Sequence, residues 1–526
     1  MNDSVGAKRQ WAWQGAFVLV IAGIVTKILS AVYRVPFQNI VGDVGFYIYQ
    51  QVYPFLGIAV MLSTSGFPVI ISKLMNDYSD HKQKILKISA LYVLAAGIIL
   101  FALMYAGAAP LADFMGDARL VMLIRVASFA FLLFPFAALL RGYFQGVHDM
   151  LPSALSQITE QLLRVAVLLG LSFWLLKKGH SLYAAGAGAA SGSIAGGFAA
   201  LCVLGIFWGK RKNTKRDSGD IETGVIVKKL LLYSITICVS SVLLLLIQLV
   251  DALNLYSLLS DGTESHDAKR LKGIYDRGQP LLQLGTVFAV SIAASLVPSI
   301  SKAVNEKKPF IITEKATSAV KLCLAVGIGA SAGLFCILEP VNIMLFQNSE
   351  GTAALQIFSL SIFFASIALT AAAILQGAGH TIFPAVSVCA GGVLKWLLNV
   401  LFVPSWGIAG AALATVLAFA AVAGLNLHRI WKKGWLTKIG GIIARLLWCG
   451  LLMIVLLIVY LKLWQSIVPV SRGGAVCESL SASAIGGLLF IYCMIRMKIF
   501  TDEELSSVPF GNTLSKLKTR REKHGR

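Results

Sequence analysis

Three basic side chains lie inside apolar runs that are long enough to cross a membrane. Lys27 lies near mid-depth of the first run, Arg34 ends that run, and Arg277 begins a later run within the segment 275–280. A charge at the centre of a bilayer costs about 2.5–3.5 kcal/mol on insertion scales, so such a residue usually faces a cavity or a partner. Cations that share one cavity would bind an anion. Arginine suits phosphate especially, because its planar fork makes paired hydrogen bonds.

Each deep polar residue also has a purely structural interpretation. Arg34 and Arg277 lie near the ends of their runs, from which a long side chain can snorkel to the membrane interface. Asp251 could be a satisfied polar partner between helices, and Glu160 and Arg164, four residues apart, predict a local ion pair on one helix face. We assign substrate binding to Lys27, Arg34, Asp251, Arg277 and Gln283.

The composition indicates a chain that lies mostly in lipid. It has 526 residues, of which 57% are hydrophobic and 13% charged, whereas a soluble protein carries roughly 25% charged residues. The net charge is +21, but the basic residues cluster in short stretches between apolar runs, which argues against nucleic-acid binding. The eight cysteines form no CxxC pair and the seven histidines no HExxH motif, so neither a disulfide framework nor metal catalysis is indicated.

The apolar runs predict fourteen membrane-spanning helices. They are continuous rather than alternating, and only helices or closed barrels satisfy their backbone groups inside a bilayer. The first two are predicted at 13–34 and 46–74, and the last two at 440–463 and 474–497. Lysine and arginine are concentrated in every second connection, which predicts that both termini are cytoplasmic.

Two stretches of the chain resemble one another, and both lie among runs that are apolar enough to span a membrane. In each, a Gln-Gly pair closes one apolar run, a proline opens the next, and a cation follows deep inside it. The two copies are Gln145-Gly146, Pro152 and Arg164, and Gln376-Gly377, Pro384 and Lys395. Duplicated halves in a multi-span protein point to a transporter with its site between the halves.

The repeats predict a domain organisation. We expect an N-lobe at 1–208, a basic cytoplasmic linker at 209–227, and a C-lobe at 228–432 in the same orientation as the first. Two additional helices occupy 433–498 and a basic tail occupies 499–526. The predicted fold is therefore all-α: fourteen spans in two pseudo-symmetric six-helix lobes, plus two extra C-terminal helices.

Several blocks of sequence resemble one known family. They are Ile274 to Leu281, Pro298 to Lys302, Gly23 to Leu29, Tyr33 to Pro36, and Gly42 to Gly45. They are similar to the MurJ-type lipid II flippases, the stage V sporulation protein B group, and the wider multidrug/oligosaccharidyl-lipid/polysaccharide superfamily. The resemblance covers nearly the whole chain.

The resemblance implies a two-lobed carrier that exports an undecaprenyl-pyrophosphate-linked saccharide across a bacterial cell membrane. It also implies a central cationic cavity and a groove, formed by the two extra helices, for the lipid tail. Arg34 and Arg277 match the essential cavity arginines of the family, and Lys27 falls where relatives have a basic residue. The chain departs from the family at Pro280, where some relatives have an acidic residue, and Asp43 lies only near another acidic position of the family.

Alternating access by a monomer is the expected mechanism, without an enzymatic activity or a cofactor. No GxxxxGK[ST] loop is present, so we expect the membrane potential, or a coupling Na⁺ or H⁺, to supply the energy. A cation-coupled multidrug exporter of the same superfamily is the main alternative, and it should depend on a buried carboxylate such as Asp251. A membrane enzyme and a non-transporting scaffold are further alternatives. The carboxylates of the segment 77–80 are more typical of a solvated loop than of a metal-binding DxD motif.

Overall fold

The computed structural model describes residues 18–19, 21–211, 223–234, 238–239, 242–437 and 439–500, which are helical nearly throughout. No strand occurs in those ranges. Twelve helices there have the length and apolar composition needed to cross a membrane. Inside lipid, a helix satisfies its backbone N–H and C=O groups within itself, so long apolar runs fold in this way. The prediction of an all-α integral membrane protein is confirmed.

Eighteen α-helices are delimited within these residues. They are α1 (Arg34–Met61), α2 (Phe67–Asp77), α3 (Lys82–Ala106), α4 (Ala108–Phe114), α5 (Val121–Ser128), α6 (Ala130–Gly146), α7 (Leu151–Lys177), α8 (Leu182–Gly209), α9 (Thr223–Tyr233), α10 (Leu243–Ser260), α11 (Ser265–Asp276), α12 (Gly278–Asn305), α13 (Pro309–Phe346), α14 (Thr352–Ser359), α15 (Ser361–Gly377), α16 (Ile382–Lys432), α17 (Gly440–Ile467) and α18 (Arg472–Arg496). Helical residues 21–32 lead into α1, and a π-helical turn at Leu62–Gly66 joins α1 to α2.

The two longest of the twelve apolar helices are each long enough to cross a membrane twice. They run over Ile21–Asp77, with 57 residues, and Ile382–Lys432, with 51 residues, whereas one crossing needs about 20 residues. Each is interrupted by a glycine with positive φ, Gly42 at 69° and Gly407 at 53°. Such interruptions let one continuous run form two crossings, and the count of fourteen spans stays a prediction.

The first helix continues beyond the predicted end of its span at residue 34. Its hydrogen-bond ladder runs on through Tyr33, whose N–H donates to the carbonyl of Leu29 at 3.2 Å and whose carbonyl accepts from Phe37 at 3.1 Å. The apolar run ends at Arg34, but the helix continues. Gln38, in the next turn, is polar and is also buried in protein. Arg34, the first residue of α1, therefore lies inside the continuous helical stretch Ile21–Asp77 rather than at its end.

The chain forms two compact units. One comprises Met1–Val287 with His380–Val422, and the other Phe288–Gly379 with Ala423–Arg526. Within the first unit, α1 packs against α8, α10 and α11, and α7 packs against α8. Within the second unit, α13 packs against α15, α17 and α18. Every contact of the candidate site lies in the first unit.

The predicted lobes, 1–208 and 228–432, stay a prediction, as does the assignment of 433–498 to two additional helices. Most of the predicted linker, 209–227, and of the predicted tail, 499–526, lies outside the described residues. Both termini, whose cytoplasmic location the charge pattern predicts, lie outside them too.

Candidate functional site

Arg34 is a buried cation without a hydrogen bond. Its side chain is fully buried, and none of its three guanidinium nitrogens has a hydrogen-bond partner of normal geometry among the described residues. The guanidinium carbon lies 4.1 Å from the ring centroid of Tyr53. Two further tyrosines, Tyr33 and Tyr49, also lie near the guanidinium group. A cation over a desolvated aromatic ring gains about 2 kcal/mol, which does not replace the lost hydration of a buried guanidinium.

Gln283 extends the surroundings of Arg34, whereas Lys27 lies seven residues before Arg34 in the chain. Gln283 is half-buried and lies within hydrogen-bonding reach of the Tyr53 hydroxyl. Lys27 has no hydrogen bond or ion pair with any residue that the structure describes. Lys27 is exposed at the surface of the protein.

Arg277 is bound by a carboxylate that the sequence did not single out. It lies between α11 and α12 and is fully buried. Its Nε donates to Oδ1 of Asp43 at 2.9 Å and its Nη2 donates to Oδ2 at 2.6 Å. Gln38 donates a further hydrogen bond to Oδ1 at 2.8 Å. Unlike Arg34, Arg277 is therefore neutralised, by a paired contact of the kind that arginine also makes with phosphate.

Two glycines let Asp43 reach Arg277. Gly42 adopts a φ of 69°, which costs a residue with a side chain more than it costs glycine. Gly273 on α11 faces the backbone of Asp43 so closely that an added Cβ would overlap the Asp43 carbonyl oxygen. The Asp43 turn and α11 are thus held in direct backbone contact beside the ion pair.

A second buried ion pair lies one turn before Arg277. Nζ of Lys272 donates to both carboxylate oxygens of Asp276 at 2.7 Å, and both side chains are almost fully buried. Arg34 is close enough to Asp276 for their charges to interact, although no hydrogen bond joins them. Lys272 lies in a polar stretch between apolar runs of the sequence, but α11 carries it into the protein.

Asp251 is the acceptor of a fully buried cluster. Its Oδ1 lies 2.8 Å from Nζ of Lys395, and its Oδ2 accepts from the Tyr275 hydroxyl at 2.7 Å. Asn399 donates to Oδ1 at 3.0 Å. Comparison of the two repeats singled out Lys395 as a deep cation. The structure shows that its carboxylate partner is Asp251, which the sequence could not identify.

The consecutive residues Tyr275, Asp276 and Arg277 bind three different partners. Tyr275 donates to Asp251 on α10, Asp276 accepts from Lys272, and Arg277 donates to Asp43. One short segment at the junction of α11 and α12 thus connects the Asp251 cluster to the turn at Gly42.

A third cluster is centred on the buried carboxylate of Asp117. Asp117, between α4 and α5, lies 2.8 Å from Nζ of Lys269 on α11. Its Oδ2 also accepts from the hydroxyls of Tyr47 at 3.2 Å and Tyr183 at 2.5 Å. Asp117 thus joins residues from four separate stretches of the chain.

The predicted Glu160–Arg164 contact is present and includes a second arginine. Nη2 of Arg164 donates to Oε1 of Glu160, and Nη2 of Arg141 donates to Oε2 at 2.8 Å. Nη1 of Arg141 also donates to the backbone carbonyl of Ser63 at 3.1 Å. Two guanidinium groups thus share one buried carboxylate.

The structure brings together part of the predicted binding set. Arg34 and Gln283 meet at Tyr53, whereas Arg277 and Asp251 are occupied by other side chains and Lys27 has no described partner. The sequence argument missed Tyr53 entirely and undervalued Asp43. For Asp43 a signal existed, since it follows a glycine in the predicted turn after the first span. For Tyr53, one aromatic residue among many, no signal existed.

Comparison with known families gives two matches. The family described as "Polysaccharide biosynthesis protein" matches residues 12–304. The family described as "MatE" matches residues 273–401. The first match covers more than half of the chain.

Individual proteins resemble the chain over nearly its full length. An uncharacterized membrane protein of Bacillus subtilis (strain 168), YabM, is 67% identical over all of both chains. The lipid II flippase MurJ of the same organism is 25% identical over 92% of this chain and 95% of its own length. A solved structure titled "Lipid II flippase MurJ, inward closed conformation" matches with a TM-score of 0.67 and 14% identity, over 92% of this chain and 100% of that one. The resemblance predicted from the sequence is confirmed, and the last match shows a shared fold.

Proposed function

Because this chain belongs to the polysaccharide biosynthesis protein family, we propose that it is a carrier for a polyprenyl-pyrophosphate-linked saccharide. The carrier moves this lipid from the inner to the outer leaflet of a bacterial cell membrane. The similarity to a protein named lipid II flippase makes lipid II the first cargo to test.

One observation supports this proposal most strongly: Arg34 is fully buried, and none of its three guanidinium nitrogens has a hydrogen-bond partner of normal geometry among the described residues. Removing an ion from water costs several kcal/mol unless a partner replaces the water. A buried cation that lacks acceptors from the protein is suited to an anionic ligand that supplies them. The oxygens of a diphosphate match the planar guanidinium fork.

The other groups near Arg34 fit a diphosphate headgroup. Lys27 adds a second cation without a described partner on the same helix, and Gln283 adds an amide beside Tyr53. Arg277 can bind the headgroup only after its two hydrogen bonds to Asp43 break, because they already occupy its guanidinium group. We therefore assign first contact with the headgroup to Arg34 and Lys27, and a later contact to Arg277.

The energetics of export favour an anionic cargo. An inside-negative membrane potential drives one negative charge outward by about 2.3 kcal/mol per 100 mV. A diphosphate with two charges gains roughly twice that amount, so the outward step needs no ATP. In the proposed cycle the two halves rock around the headgroup while the polyprenyl tail remains in lipid.

Binding of undecaprenyl pyrophosphate to the protein in nanodiscs, measured by native mass spectrometry, tests the proposal. Arg34→Ala should weaken binding at least tenfold, because a charged hydrogen bond contributes about 1.5–3 kcal/mol. Arg34→Lys should restore part of it, since a point charge lacks the fork. The matched control is Arg119→Ala, whose side chain is 69% exposed and which should bind normally.

Flipping of a fluorescent polyprenyl-pyrophosphate saccharide in proteoliposomes provides the second test. The same Arg34→Ala variant should lose most of the flipping rate while still inserting into the membrane. Normal binding and normal flipping by this variant would show that the anion site lies elsewhere.

A cation-coupled multidrug exporter is the second candidate, and the MatE match over residues 273–401 favours it. Such an exporter needs a carboxylate that can take up a cation. Here Asp251 and Glu160 are each neutralised by a buried basic side chain, which favours the anionic cargo. Efflux of a cationic dye that is lost in Asp251→Asn but kept in Arg34→Ala would support the exporter instead.

A further inference from the structure

A pocket lies between α13, α17 and α18, where the connection 468–471 joins α17 to α18. Its volume is about 350 Å³, and sites for small ligands begin at about 300 Å³. Nε of Arg472, the first residue of α18, donates to the carbonyl of Met344 near the end of α13 at 3.3 Å. The pocket belongs to the second compact unit and is therefore separate from the site around Arg34.

Two carboxylates on neighbouring helices line this pocket. Glu478 follows the first residue of α18 by six positions, and Glu339 precedes the last residue of α13 by seven. With a rise of about 1.5 Å per residue, both lie roughly 10 Å inside the ends of their helices. They are close enough for their charges to repel each other, so a cation between them would stabilise both.

Glu478 is a buried carboxylate without a cation. It is 7% exposed, and it forms no ion pair with the described part of the chain. The other four buried carboxylates of the described residues are each bound to a lysine or an arginine: Asp117 to Lys269, Glu160 to Arg141, Asp251 to Lys395 and Asp276 to Lys272. An unpaired charge at this degree of burial is unfavourable, so a positive partner from outside the protein would stabilise Glu478.

The hydrogen bonds of Glu478 are also incomplete. Its Oε1 accepts from Nε2 of Gln465 at 3.4 Å, which is longer than the usual range of about 2.7–3.2 Å. Its Oε2 has no hydrogen bond with any residue that the structure describes. Glu339 is exposed and has no ion pair within the described ranges. Both carboxylates therefore have acceptors available for a ligand.

A primary ammonium group fits this set of acceptors. It carries three N–H donors and no acceptor, and the pocket offers two carboxylates and the side-chain amide of Gln465. Trp464 also lines the pocket, and the face of an indole attracts a cation. Calcium instead takes about six to eight oxygen ligands, whereas the rest of this lining is mostly apolar.

The surroundings of the pocket favour a lipid as the source of the ammonium. Ile343, Val468 and Val470 form apolar walls. Ile467, the last residue of α17, is 79% exposed, and Val470 is 83% exposed. Exposed apolar surface of this kind marks contact with a membrane or a partner, and α17 and α18 are both long enough to span a membrane. A lipid has acyl chains for these surfaces, and a soluble amine has none.

We propose that the pocket between α13, α17 and α18 binds the primary ammonium group of an aminolipid. Glu478 and Glu339 accept hydrogen bonds from the ammonium, and the acyl chains lie along the exposed apolar side chains of α17. The bound lipid neutralises the buried carboxylate that the protein itself leaves unpaired. This site does not depend on which cargo the protein carries.

Native mass spectrometry of the full chain tests this proposal with lipids that differ only in their headgroups. The probes are phosphatidylethanolamine, with a primary ammonium, phosphatidylcholine, whose ammonium has no N–H donor, and phosphatidylglycerol, which has no cation. The parent protein should bind phosphatidylethanolamine about tenfold more tightly than either of the others, the factor that a hydrogen bond to a charged group typically contributes. Ethanolamine at the same concentration should leave the lipid bound, because it lacks the acyl chains.

Two variants and one matched control connect this preference to the pocket. Glu478→Gln keeps the shape of the side chain but removes its charge, so it should lose the preference for phosphatidylethanolamine. Glu339→Gln should weaken the preference, and because its position is exposed it remains informative if Glu478→Gln does not fold. Glu314→Gln is the control, since Glu314 is exposed near the opposite end of α13 and should bind like the parent protein.

Melting temperatures provide a second readout. A ligand that binds only the folded protein stabilises it, so phosphatidylethanolamine should raise the melting temperature of the parent protein but not that of Glu478→Gln. Equal binding of the three lipids by the parent protein would overturn the proposal. An unchanged preference in Glu478→Gln, or release of the lipid by ethanolamine, would overturn it as well. None of these results bears on Arg34, whose effect on diphosphate binding tests the carrier function separately.

Discussion

Asp43 and Arg277 lie 234 positions apart in the chain and are joined by two parallel hydrogen bonds, of 2.9 and 2.6 Å. The carboxylate fills the guanidinium fork, so Arg277 cannot hold an anion in the same way while this contact lasts. The residue that the family resemblance puts in the cavity therefore acts, in this conformation, as a link between the turn at Gly42 and the start of α12.

Breaking this link should destabilise the protein. Asp43→Asn removes the charge that neutralises a fully buried guanidinium, and removing one partner of a buried ion pair costs about 3–5 kcal/mol. We expect a clearly lower melting temperature in detergent. Arg119→Ala, which breaks the exposed contact with Asp117 at 3.9 Å, should cost less than about 1 kcal/mol. Equal effects of the two variants would argue against the Asp43–Arg277 contact.

Adding one methyl group at Gly273 should separate α11 from the Asp43 turn. The new Cβ would overlap the carbonyl oxygen of Asp43, and overpacking of this kind typically costs about 1–3 kcal/mol. Gly262→Ala is the control, because nothing lies within 4 Å of its added Cβ. Thermal melting of both variants checks the prediction, and a Gly273→Ala protein as stable as the control would contradict it.

Removing the charge of Arg34 should stabilise the empty protein. Arg34→Met keeps the volume and the contact with Tyr53 but removes a buried cation that has no hydrogen bond, so we expect a gain of roughly 1–4 kcal/mol. The same variant should lose diphosphate binding. Melting temperature and binding measured on one preparation check both, and a destabilised Arg34→Met protein would mean that Arg34 has a structural partner.

Glu160 should matter more than either of its arginines. Glu160→Gln leaves both Arg141 and Arg164 buried without a counter-charge, whereas Arg164→Met still leaves one cation for the carboxylate. The glutamate variant should therefore cost at least about 3–5 kcal/mol, and the Arg164 variant clearly less. Comparative melting in one detergent tests this order, and the reverse order would refute a shared carboxylate.

Much of the fold was predictable because it follows from single residues and their neighbours. Apolar runs in a bilayer have to form helices, and Glu160 and Arg164 meet because four residues are about one helical turn. Lys27, Arg34, Arg277 and Lys395 stood out because a charge inside an apolar run is costly.

The partners of these residues were not predictable, since they come from helices that meet only in the folded chain. Nothing near Lys395 in the sequence indicates Asp251, which precedes it by more than a hundred residues. Lys269 and Lys272 looked like loop charges because α11 is polar, yet Asp117 and Asp276 neutralise them inside the protein. A single sequence also cannot indicate that Arg34 is unpaired while Arg277 is paired.

The consecutive residues Tyr275, Asp276 and Arg277 each bind a different partner, which matters for chimaeras built from related proteins. Grafting the segment 265–277 alone from a relative would keep the Lys272–Asp276 pair but would separate Tyr275 from Asp251 and Arg277 from Asp43. The donor segment should therefore be transferred together with the donor's residues at positions 43 and 251. Both sides of each contact at the junction then come from the same protein.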